Sequence, residues 1–270
     1  MLNYIHWNIE PEIFKIGSIA IRYYSLLFVG GLIVSYYILK KVFIKENMPL
    51  EWLDKLFIYV GVGTVLGARL GHVFFYEWYY YKNHMLEILL PIHQTTSGYE
   101  FSGFQGLASH GAAIGIVLSV ILFALVQKKN ALVFFDKIAL VIPLAGAMVR
   151  FGNLMNSEII GKATNLSFGF IFERVDEIPR HPSQLYEALG YVFTFVIVML
   201  AYRRLKDKVK PGFFLGLMMI GIFTARFFIE FVKENQESFE NDMAFNMGQW
   251  LSIPFVLAGI ALVVIMRKKS

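Results

Sequence analysis

Three arginines interrupt stretches that are otherwise apolar: Arg69, Arg150 and Arg226. Arg150 opens the segment Arg150-Phe-Gly-Asn-Leu-Met-Asn-Ser-Glu158, which places Asn153, Asn156 and Glu158 close behind it. An ionisable group in a membrane helix costs at least ~2.5 kcal/mol on insertion scales, so it needs a partner or an anionic ligand. Asn153, at i+3, can orient Arg150 but cannot neutralise it; Glu158 or a ligand is expected to do so. Arg226 has Glu230 at i+4, and the two could simply pair; Arg69 could snorkel to the interface. A guanidinium stays charged and offers a planar fork of donors, which suits an oxyanion such as a phospholipid headgroup.

His110 heads the run Ser109-His-Gly-Ala-Ala-Ile-Gly115 and is the best-placed base, with an ordinary pKa of ~6.5 that leaves a neutral fraction near neutrality. Ser109 beside it lacks the Gly-x-Ser-x-Gly elbow of a serine hydrolase. A third group, His181-Pro-Ser-Gln-Leu-Tyr-Glu187, brings Gln184, Tyr186 and Glu187 to the start of another apolar run, with Pro182 suited to a first helical turn. No metal is expected, because no His-Glu-x-x-His pattern occurs and clustered arginines repel cations.

The elements that must carry these groups are membrane helices. The chain of 270 residues is 57% hydrophobic and 17% charged, and the fold class expected is an all-α integral membrane protein of one domain, 1–270. Seven runs are long enough to span a bilayer: about 19–39, 56–76, 110–126, 138–155, 184–202, 212–232 and 248–266. Lys40, Lys41, Lys45 and Lys55, then Lys128, Lys129 and Lys137, then Arg203 to Lys210, and finally Arg267-Lys268-Lys269 mark cytoplasmic loops. The N-terminus is therefore expected outside and the C-terminus in the cytoplasm. Insertions at about 77–109 and 156–182 would form interfacial arms and a small extracytoplasmic cap, and no removable signal peptide is expected.

Counting from these loops at ~1.5 Å per residue places Arg69, Arg150 and Arg226 about 20 Å into their spans, with Tyr24, His110 and Tyr186 at about 24 to 27 Å. One polar layer in the outer leaflet follows. The chain has no cysteine, which excludes disulfides, thiolate metal sites and a thiol nucleophile of its own. The net charge of +5 resides largely in topology-setting loops, so no nucleic acid partner is expected. An organic-anion transporter is the alternative, but the inner halves of the spans carry few ionisable residues to continue a path.

Taken together, Ser109-His-Gly111, Arg150-x-Gly-Asn-x-x-Asn-x-Glu158 with Gly161, Arg180-His-Pro-Ser-Gln-Leu-Tyr-Glu187 and Arg226 with Glu230 resemble the bacterial prolipoprotein diacylglyceryl transferase family. The likeness runs from Arg22-Tyr-Tyr24 to Met247-Gly-Gln-Trp-Leu-Ser-Ile-Pro254. It implies transfer of the diacylglyceryl group of phosphatidylglycerol to the lipobox cysteine thiol of a prolipoprotein, forming a thioether and releasing glycerol phosphate. This is the first step of lipoprotein maturation. It further implies a multi-pass protein of the bacterial cytoplasmic (inner) membrane with its site toward the outer leaflet, without cofactor, and taken as a monomer.

By the same resemblance His110, Arg150 and Arg226 would be the catalytic groups, with Arg150 on the headgroup. Tyr24, Asn153, Asn156, Glu158, Gly161, Gln184, Tyr186, Glu187, Glu230 and Arg69 would bind substrate or line the site. Ser157 stands where the family commonly has glycine, and Ile222 where a tyrosine is frequent.

Overall fold

The computed structural model describes residues 4–17, 19–90, 92–95, 98–101, 106–235, 240 and 243–268; Lys269 and parts of the 77–109 insertion lie outside the described residues. The chain begins with strands β1 (Ile5–Trp7), β2 (Glu12–Ile16) and β3 (Ile19–Arg22), followed by helices α1 (Tyr23–Lys45) and α2 (Leu50–Phe75). Two short helices, α3 (Trp78–Tyr81) and α4 (Leu86–Leu89), and the strands β4 (Ile92–Thr95) and β5 (Gly98–Phe101) lead to α5 (Ser109–Val126). Then come α6 (Ala131–Ala139), α7 (Ile142–Asn156), β6 (Phe170–Phe172), β7 (Pro179–Arg180), α8 (Ser183–Leu205), α9 (Phe213–Ile229) and α10 (Met247–Met266).

The protein is mostly helical, and α1, α2, α5, α8 and α10 are each long and apolar enough to cross a membrane. α6 and α7 make a sixth candidate as one span bent by 44°. Pro143 explains the break, since its ring removes a donor and collides with the preceding turn. α9 has 17 residues, about 25 Å at 1.5 Å each, somewhat less than the ~30 Å hydrocarbon core. Large apolar side chains such as Val29, Leu118, Leu122, Phe193, Leu257 and Val264 are exposed on these helices. A soluble protein would bury many of them, whereas lipid is a favourable neighbour.

Several boundaries differ from the sequence reading: besides the two below, α1 runs on to Lys45 rather than ending near 39, and the bent fourth span begins at Ala131 rather than near 138. The first span was expected from residue 19, yet Ile19–Arg22 is strand, paired antiparallel with β2, with Arg22 held at 3.2 Å from Glu12. Helix α2 begins six residues before the expected Leu56, because Glu51 and Lys55 pair at i, i+4 and are accommodated within its first turns. Small sheets also supplement the expected all-α architecture: β1-β6-β7, β2-β3 and β4-β5.

The chain forms two compact units, Met1–Lys41 with Phe135–Ser270, and Val42–Phe134. In the first, α7, α8, α9 and α10 pack in sequence order. Asp136 on α6 accepts from the backbone N–H groups of Gly212 and Leu215, both at 2.8 Å, and so satisfies donors that the start of α9 would otherwise leave open. At the other end of the span, Trp7 of β1 donates its indole N–H to the Leu154 carbonyl at 2.9 Å, and its ring joins a small core of Leu154, Phe170 and Phe172. This core anchors the end of α7.

In the second unit, α2 lies against α5 through Gly63, Gly67 and Gly71 on one helix and Gly111, Gly115 and Ser119 on the other. A Cβ at Gly111 would stand 2.8 Å from the Gly71 Cα, so the two backbones meet only because neither carries a side chain there.

Candidate active site

The polar end of α7 is built by local spacing. Arg150 donates from Nη1 to Asn153 Oδ1 at 3.2 Å, and Asn153 donates from Nδ2 to Glu158 Oε2 at 2.9 Å. Asn156 holds the other oxygen of Glu158 at 3.1 Å. The helix closes on Ser157, whose φ of 55° lies in the left-handed region. Glycine adopts that conformation at lowest cost, which gives a physical reason for the glycine common at this position in the family that the sequence resembles.

Across from α7, α8 delivers Gln184 and Glu187, both fully buried. Gln184 donates from Nε2 to the Glu158 carbonyl, and Ser183 donates to the Ile159 carbonyl at 2.7 Å, so the start of α8 is stitched to the segment after α7. Glu187 Oε2 lies 2.7 Å from Arg150 Nε. This revises the expectation for Arg150: its countercharge comes from Glu187, one helix away, while Glu158 reaches it only through Asn153. The buried Tyr191, a turn further along α8, also meets the Arg150 guanidinium.

The other oxygen of Glu187 faces Lys233 Nζ at 3.5 Å, and that ammonium donates to Glu230 Oε1 at 2.9 Å. Glu230 Oε1 in turn lies 3.4 Å from Arg226 Nε. An alternating row results: Arg150, Glu187, Lys233, Glu230, Arg226. Both oxygens of Glu187 receive positive charge, yet neither contact is aligned as a hydrogen bond.

Glu230 is fixed from two further directions. Asn246, which caps α10 in a reciprocal capping box with Gln249, donates from Nδ2 to Glu230 Oε2 at 3.0 Å. Gly248 lies so close that a Cβ would sit 2.6 Å from the Glu230 carboxylate carbon. Arg226 therefore faces a carboxylate that is committed elsewhere. Its side chain is 33% exposed against 16% for Arg150, and it makes no side-chain hydrogen bond among the described residues. Of the two arginines, Arg226 is the one presenting an open fork.

Gly161 supports this arrangement from outside the helices. Its N–H donates to the His181 carbonyl at 3.0 Å, and its backbone bridges to Lys233, a contact a Cβ would obstruct by standing 2.7 Å from the Val232 carbonyl oxygen. Arg180 secures the same loop, donating to Asp176 at 2.6 and 3.0 Å, to Glu234 at 2.6 Å and to the Gly161 carbonyl at 3.3 Å. The hydrogen bonds from Arg180 hold the Asp176 carboxyl below its usual range. Burial keeps the neighbouring His181 neutral to lower pH than usual.

The remaining sequence candidates fall in three places. The Tyr24 ring packs on Gly152 of α7, near the charges of Glu158 and Arg150. Tyr186 points to His181, its hydroxyl 3.3 Å from Nδ1. Ile222 is buried on α9 and brings no hydroxyl. In the second unit His110 is exposed at the second residue of α5, with no hydrogen bond or ion pair among the described residues. Arg69, in the same unit, is buried: it donates from Nε to the Ile88 carbonyl at 3.0 Å and from Nη2 to the Glu87 carbonyl, with its guanidinium 4.7 Å above the Tyr81 ring. It ties α4 to α2.

Sequence reasoning missed Lys233, Asn246, Tyr191 and Gly248. The spacing of Glu230 and Lys233 at i+3 was a signal for the first, and the Asn246-Met-Gly-Gln249 capping pattern for the second.

Comparison with known proteins shows the family of the chain. The sequence profile of prolipoprotein diacylglyceryl transferases matches residues 11–265. The chain belongs to this family. A phosphatidylglycerol–prolipoprotein diacylglyceryl transferase from Bacteroides fragilis is 46% identical over 267 residues, covering 98% of this chain and 96% of the relative. Proteins of the same name from Tolumonas auensis and Porphyromonas gingivalis are 41% and 40% identical, covering 98% and 97% of this chain and 99% and 94% of theirs. As a family member the protein is a transferase, and its apolar helices make it a multi-pass membrane protein.

Proposed function

We propose that the protein transfers the diacylglyceryl group of phosphatidylglycerol to the lipobox cysteine thiol of a prolipoprotein. The thiolate sulfur forms a bond to the glyceryl carbon that carries the phosphate, and the carbon–oxygen bond breaks. The electron pair leaves with glycerol phosphate, and the thiol proton passes to His110. The absence of cysteine in the chain fits a reaction whose nucleophile is supplied by the peptide. The observation that carries this reading is Arg226, whose open guanidinium fork stands beside a pinned carboxylate and can take phosphate oxygens as charge develops on the leaving group. Arg150, held on one side by Glu187 and on another by Asn153, borders the same row.

The wider setting belongs to the same proposal: seven spans in one membrane domain of the bacterial cytoplasmic membrane, N-terminus outside, site toward the outer leaflet, acting as a monomer without cofactor. In this arrangement α6 with α7 is the fourth span and α9, though short, the sixth. Incubating the purified protein with phosphatidylglycerol and a lipobox peptide tests the chemistry. The peptide should gain the mass of a diacylglyceryl group, and a peptide with serine in place of the cysteine should not; an unchanged cysteine peptide overturns the reading.

A further inference from the structure

Lys233 lies just beyond α9, in a short run fixed to the segment after α7 by two backbone hydrogen bonds. Lys162 N donates to the Val232 carbonyl at 2.8 Å and Glu234 N donates to the Ile160 carbonyl at 3.2 Å, and together they pair Gly161 with Lys233. This backbone clamp aims the side chain inward, where it is only 3% exposed. An ammonium so deeply buried is rare unless paired, and here it meets Glu230 at 2.9 Å and Glu187 at 3.5 Å, two carboxylates that are themselves buried.

We propose that Lys233 is a positioning residue that gives the site its preference for an anionic lipid headgroup, acting through Glu230 on Arg226. The inference rests on reading the site as a receptor for lipid phosphate. Within the row, three cations (Arg150, Lys233, Arg226) face two carboxylates (Glu187, Glu230), so one positive charge is in surplus. The surplus is expressed at Arg226, because Lys233 and Asn246 hold Glu230 in place and leave its contact with Arg226 at 3.4 Å. Without the lysine the row is internally neutral, and Glu230, at i+4 from Arg226, is free to close on it as an ordinary helical ion pair. The fork would then be occupied by the protein's own carboxylate.

The test compares wild type, Lys233→Met, Lys233→Arg and the double variant Lys233→Met/Glu230→Gln, all in detergent micelles. Binding of phosphatidylglycerol and of zwitterionic phosphatidylcholine with the same chains is measured alongside the rate of transfer to a lipobox peptide. Lys233→Met should weaken phosphatidylglycerol binding about tenfold and reduce its preference over phosphatidylcholine by a similar factor, and the rate at saturating lipid should fall with it, because the occupied fork is the one that takes charge on the leaving group. Lys233→Arg should restore the preference. So should the double variant, which removes the competing carboxylate and brings back the surplus charge.

An unchanged preference in Lys233→Met, a collapse of the saturated rate with unaltered lipid binding, or a double variant no better than the single one would overturn the proposal. Should Lys233→Met fail to fold because it leaves a buried carboxylate uncompensated, the double variant carries the decision. Loss of preference there contradicts the proposal. Wild-type protein that transfers nothing would instead overturn the underlying function, so the two failures are separable.

Discussion

Arg150 and Arg226 are held in different ways, and in the phosphate site proposed above they would divide the work accordingly. Arg150 is embedded, with Nε on Glu187 and Nη1 on Asn153, so its charge is neutralised and its plane is fixed. Arg150→Lys keeps the charge, but one ammonium cannot make both contacts from a rigid plane; transfer should fall about 10²- to 10³-fold in an initial-rate assay. A rate near wild type would show that the planar fork is dispensable. For His110 the proposed role is general base, worth ~10²- to 10⁴-fold, and His110→Gln should lose that much near neutral pH. With a peptide thiol of pKa ~8.5, part of the loss should be regained as pH rises and thiolate becomes abundant. A deficit that stays flat with pH in a folded variant would exclude the base.

At this scale the sequence was informative where partners lie three or four residues apart: Arg150 with Asn153 and Arg226 with Glu230. It was silent on Arg150 with Glu187 and Lys233 with Glu187, because helix packing and a bridge to Gly161 decide those pairs. Arg69 is held by backbone carbonyls of α4, partners that no residue spacing in the sequence announces.

Among the elements, the interlock of α2 and α5 positions the helix whose second residue is His110. Gly67 and Gly111 approach so closely that an added Cβ on either meets the other helix's backbone. Gly111→Ala should therefore destabilise the fold by ~1–3 kcal/mol, as overpacking does. Thermal unfolding in detergent checks it. Gly61→Ala is the control, because nothing lies within 4 Å of a Cβ there, and its melting temperature should match wild type or exceed it slightly. Equal melting temperatures for Gly111→Ala and wild type would show that the helices part without cost.

The four-residue spacing of Gly63, Gly67 and Gly71 is a packing signal carried by the sequence itself, as the apolar runs are for the helices. The helix ends are less legible there. α2 accommodates charges at its start that hydropathy alone would exclude, and three- to five-residue strands such as β1 and β3 exist through their pairing partners rather than their own composition.

For the molecule as a whole, apolar exposure along the helices and basic residues in alternate loops argue for the proposed orientation. The chain has no cysteine, so single cysteines introduced at Tyr79 or Glu177 and at Lys129 or Lys208 can be labelled without background. A membrane-impermeant reagent applied from outside should label the first pair and spare the second; the reverse pattern would invert the topology. The central claim concerns chemistry, and it is tested most directly by counting both products of one reaction. Purified wild-type protein, phosphatidylglycerol and a lipobox peptide should yield thioether adduct and free glycerol phosphate in equal amounts. Folded Arg226→Gln, which lacks the fork, should lower both by about 10²-fold or more. Glycerol phosphate released without adduct, or wild-type yields of both from Arg226→Gln, would contradict the account.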